Sequence, residues 1–64
     1  MIVNAGEHHF EAVQRTVNKI AEIYNATRYG TRFDGNGIVC HIEGDEGCEN
    51  ALRFSLEDRG YEVI

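Results

Sequence analysis

The sequence predicts a small α+β domain, a compact ferredoxin-like β-α-β-β-α-β sandwich. Its antiparallel sheet would carry two helices on one face. Three observations lead there: helical apolar spacing across residues 10–24, a DGNG turn between two alternating segments, and a second helical stripe across residues 48–56. Right-handed crossovers place both helices on the same side of the sheet. The first strand, residues 1–4, is short; without it the fallback is α-β-β-α-β on three strands.

Each element has its own signal. Asn4 and Glu7 have the spacing of a capping box. Phe10, Val13, Val17, Ile20 and Tyr24 then recur at three and four residues, with Ala21 and Ile23 widening the stripe. Asn25 or Gly30 ends that helix. Tyr29, Thr31 and Phe33 alternate with polar residues or glycine, and Ile38, Cys40 and Ile42 alternate with Val39, His41 and Glu43. A two-residue loop at Gly35 and Asn36 sets Phe33 opposite Ile38, Thr31 opposite Cys40 and Arg28 opposite Glu43. Asp45 is the expected N-cap of the second helix. Cys48, Ala51, Leu52, Ser55 and Leu56 form its inner stripe, Gly60 stops it, and YEVI supplies a last strand.

The 64 residues make one domain, 1–64, with an apolar share of 42% that is too high for a disordered tail. Eleven acidic residues against six basic ones give a net charge of −5. One Lys and five scattered Arg are poor material for neutralising phosphates, so direct nucleic-acid binding and anchoring on anionic membrane are disfavoured. A protein partner with a basic surface suits this charge instead. Two cysteines are too few for a disulfide-rich secreted scaffold, and no signal segment or membrane-length apolar run is present. A soluble, cytoplasmic protein is expected, and residues 1–64 read as a complete small gene product.

The densest chemistry lies in VCHIEGDEGC, residues 39–48, with both cysteines, a histidine and three acids. Neighbouring strand residues point to opposite faces, so Cys40 and His41 do not share a metal on a regular strand. Both cysteines read as core thiols, and structural zinc would want close ligand pairs such as CxxC. His8 and His9 lie in a first helical turn and diverge by about 100°, which suits solvated side chains better than chelation. No nucleophile, base and orienting group converge, so no enzyme, cofactor or metal is expected. The open sheet face should carry Arg32, Val39, His41, Glu43 and Glu62 without an aromatic, which argues against an RNA-recognition module.

Contact surfaces remain. Glu43, Asp45, Glu46 and Glu49 form an acidic cluster, and Phe54, off the inner stripe of its helix beside Glu57, suits a partner anchor. Sheet edges at residues 31–34 and 61–64 invite strand addition, including a homodimer. The expected function is a non-enzymatic protein-binding regulator or inhibitor acting through its acidic surface. A phage-encoded inhibitor of a host nucleic-acid-handling enzyme is one form of it. The alternative is a small-ligand or metal-binding domain using Cys40 and Cys48.

Overall fold

The structure, a computed structural model, describes residues 1–64. A hairpin organises it. Strands β2 (Arg28–Phe33) and β3 (Ile38–Glu43) pair antiparallel, with Arg28 opposite Glu43, Thr31 opposite Cys40 and Phe33 opposite Ile38. The turn chemistry fixes that register. Gly35 takes a positive φ of 94°, and the Asp34 carboxylate accepts the backbone N–H groups of Asn36 and Gly37 at 3.0 and 3.1 Å.

Strand β1 (Ile2–Val3) pairs antiparallel with the other side of β3, so the order is β1-β3-β2. Met1 extends this pairing by exchanging two 2.9 Å hydrogen bonds with the backbone of Cys40. Residues 61–64 return along the free side of β1. Val63 bridges Val3, the Asn4 N–H donates to the Glu62 carbonyl at 2.9 Å, and the Ile64 N–H donates to the Ile2 carbonyl at 2.8 Å.

Helix α1 (Phe10–Ile23) follows a single 3-10 turn, Glu7–His9. The capping box expected from Asn4 and Glu7 does not form, because Asn4 is still engaged in pairing. Its side chain donates to Glu62 Oε1 at 2.8 Å, and Gly6 takes the cap position of the 3-10 turn. Asn25 ends α1 at φ 53°, and the Ala26 N–H closes back on the Ala21 carbonyl at 2.8 Å. Helix α2 (Cys48–Asp58) ends the same way at Gly60, φ 91°, with the Tyr61 N–H donating to the Leu56 carbonyl at 3.1 Å.

The start of α2 differs from expectation. Gly47, not Asp45, occupies its N-cap, and no side chain caps it. Asp45 is committed elsewhere: its N–H donates to the Tyr24 carbonyl at 3.0 Å, and its carboxylate accepts from Asn25 Nδ2 at 3.2 Å. The chain is stitched to the end of α1 before it turns into α2.

Both helices pack on the face of the sheet that carries Val3, Ile38, Cys40 and Ile42. Val13, Val17, Ile20 and Ala21 come from α1, and Cys48, Leu52 and Leu56 from α2. Burying Leu52 or Leu56 contributes roughly 1.5–3 kcal/mol each. Ile23 departs from its expected place: it is exposed, and Thr16 is buried instead, its hydroxyl donating to the Ala12 carbonyl at 3.0 Å.

Candidate functional site

The strand-to-helix junction brings four predicted residues together. Glu43, Asp45, Glu46 and Glu49 line one open hollow of about 380 Å³, and all four are exposed. Glu43 ends β3, Asp45 and Glu46 lie in the loop, and Glu49 is in the first turn of α2. Gly44 allows this path, since a Cβ there would come within 2.9 Å of Ala26 Cα and 3.0 Å of the Tyr24 carbonyl oxygen. None of the four carboxylates has an ion pair. The one ion pair of the molecule, Glu11 with Arg15, is on α1. Arg28 stands opposite Glu43 in the ladder without closing a salt bridge.

Phe54 and Glu57 are exposed on α2 but do not line the hollow. Phe54 follows Leu52 by two helical steps, about 200°, which turns it away from the core. It is 68% exposed.

The two cysteines face inward as free thiols, Cys40 at 1% and Cys48 at 5% exposure. Burial pushes the Cys40 thiol up to about 11, with the Met1 ammonium pulling weakly the other way. His41 points to the opposite face and lies over Gly30, where a Cβ would meet its Cε1 at 2.7 Å. No three His, Cys, Asp or Glu side chains gather as a metal site.

Two arrangements escaped the sequence reading. His9 is not a solvated side chain: it is half-buried, hydrogen-bonded through Nδ1 to the Tyr61 hydroxyl at 3.1 Å, and edge-on to that ring. No local pattern links residues 52 positions apart. The open sheet face also carries an apolar row, Ile64, Ile2 and Val39, beside Arg32, His41, Glu43 and Glu62. Strand alternation from Val39 would have found Ile2 once β1 was accepted.

No helix is long and apolar enough to cross a membrane. Compared with protein-family models, with curated proteins and with solved structures, the chain matches none.

Proposed function

We propose that this chain is a non-enzymatic protein-binding regulator whose acidic junction docks on a basic surface of its partner. The observation that carries the reading is unneutralised charge: four carboxylates border one hollow, and no basic side chain of the chain pairs with any of them. Such a patch gains most where a partner supplies the missing cations, through steering and through charge-assisted hydrogen bonds. A groove built for a phosphate backbone has that character, so inhibition of a nucleic-acid-handling enzyme, as by a phage-encoded inhibitor, is the form of regulation we favour. Phe54 and Glu57, exposed on α2 outside the hollow, supply an apolar anchor and a further carboxylate for the partner.

The scaffold in this reading is ferredoxin-like, with residues 61–64 as a fourth strand reduced to one bridge. The Val3–Val63 bridge and its flanking hydrogen bonds support that topology. A cytoplasmic setting accords with two unpaired thiols.

Affinity capture from the native lysate tests the function. Wild type, Phe54→Ala and the double reversal Glu46→Lys/Glu49→Lys are compared. The expected result is one protein held by wild type, released by raised salt and lost with the reversal. Phe54→Ala should weaken it by roughly 2 kcal/mol or more, the cost of a lost hot spot. An identical set of captured proteins across all three baits removes the assignment.

A further inference from the structure

The outer edge of β2 is six residues long, regular and uncovered. Its hydrogen-bonding alternation follows from the turn. The Asp34 N–H donates to the Gly37 carbonyl at 3.1 Å, so the pairs 32/39, 30/41 and 28/43 exchange bonds with β3. Cys40 agrees, since its backbone bonds go to Met1 and not to Thr31 opposite it. The N–H and C=O groups of Tyr29, Thr31 and Phe33 therefore point outward, away from β3. Thr31 adds a second oddity, for its hydroxyl is buried and has no hydrogen-bond partner.

We infer that a second copy of this chain pairs with that edge, β2 against β2 and antiparallel, about a two-fold axis through Thr31. In this register every outward group of both strands finds a partner: Thr31 bonds to Thr31, and Tyr29 of each copy bonds to Phe33 of the other. The side chains agree with the backbone. Tyr29 and Phe33, 47% and 37% exposed, meet as two cross-strand aromatic pairs on the helix-bearing face. Arg28 of each copy stands opposite Asp34 of the other on the open face. The two Thr31 side chains stand opposite each other across the axis, a Thr–Thr cross-strand pair on the helix-bearing face.

Neighbouring registers fail on charge. Centring the axis on Gly30 sets Arg28 against Arg32, and centring it on Arg32 sets that residue against itself. The edge also has room, because a hollow of about 600 Å³ opens beside Thr31 and Phe33 under the start of α1. The second copy's Tyr29 arrives at its mouth. The product is one continuous sheet across both copies, with all four helices on one side. This pairing does not involve the acidic junction, so it stands or falls separately from the partner proposed above.

Sedimentation of wild type over a concentration series should show the mass rising from 7.2 kDa toward twice that value. In wild type, amide exchange at Tyr29, Thr31 and Phe33 should slow with concentration. The amides of Gly30 and Arg32 should stay protected throughout, being bonded to β3. Arg28→Asp and Asp34→Lys, each alone, put like charges opposite each other and should remain near 7.2 kDa. Mixed one to one they restore both opposite-charge pairs, so a heterodimer should form. A wild-type mass that stays at one copy overturns the inference. So does a dimer indifferent to both reversals, or one without concentration-dependent protection at those three amides; the wild-type measurements decide the matter even if a variant fails to fold.

Discussion

The sheet has two free edges, and they are built in opposite ways. Strand β2 is held by an unbroken ladder to β3, with six residues in register and no side-chain hydrogen bond from its outer row. Residues 61–64 have one bridge to β1, yet side chains tie them from several sides. Tyr61 bonds to His9, Asn4 bonds to Glu62, and Arg53 Nη1 donates to the Val63 carbonyl at 3.5 Å. One edge is long and open; the other is short and knotted in place. Short, tied edges resist strand addition and long regular ones invite it, so the difference assigns the association risk to β2. It also says what each edge depends on: backbone geometry for β2, particular side chains for the tail.

The largest expected effect strikes the point both edges share. Cys40 binds Met1 on one side through its backbone and stands opposite Thr31 on the other. Burial raises its pKa from 9.0 to about 11, so the unfolded thiol ionises first as pH rises. The sign follows by linkage: this stability is fully present below pH 9.0 and is lost as pH rises through 11. At about 1.4 kcal/mol per pH unit, the loss is on the order of 3 kcal/mol. Urea unfolding across that range should show it in wild type. Cys40→Val should remove most of the slope. Equal slopes in the two proteins would show that the thiol does not ionise on unfolding.

A change at Gly37 should separate the two edges instead of loosening both. A Cβ there would lie 2.8 Å from the Val3 carbonyl oxygen and 3.2 Å from Ile2 Cγ2. The obstruction is backbone, so β1 must move away from β3 and carry residues 61–64 with it. Gly37→Ala should cost about 1–3 kcal/mol, the range for overpacking. Amide exchange should quicken at Val3, Ile38 and Cys40, which bond across β1 and β3, more than at Gly30 and Arg32, which bond across β2 and β3. Uniform quickening would mean that the hairpin and the tail unfold as one unit.

The hairpin was legible in the sequence because its information is local. DGNG fixes the turn, the turn fixes the pairing, and alternation fixes which side chains face the core. The inner stripe of α2, its stop at Gly60 and the inward turn of both cysteines follow from equally short-range rules, and of the two stops offered for α1, Asn25 and Gly30, the chain uses Asn25. What was not legible depends on contacts between distant residues. Asp45 looks like a cap until Tyr24 and Asn25 claim it, and His9 looks solvated until Tyr61 closes on it. The acidic residues could be named in advance. That four of them border one hollow without a cation, while Phe54 and Glu57 stand outside it, required the path of the junction.

The smallest effect isolates the knotted edge. Tyr61→Phe keeps the ring that packs edge-on to His9 and removes only the hydroxyl at 3.1 Å from His9 Nδ1. A single net hydrogen bond of this kind is worth about 1 kcal/mol. The tail also loses its one cross-link to the turn that starts α1, so local opening should grow more than global stability falls. Exchange at the Ile64 amide should quicken several-fold, while the β2–β3 amides stay as they are in wild type. That asymmetry is what a side-chain-tied edge predicts. If the Ile64 amide exchanges as slowly as before, the backbone bonds to Ile2 and Asn4 suffice, and the tail is a strand in its own right.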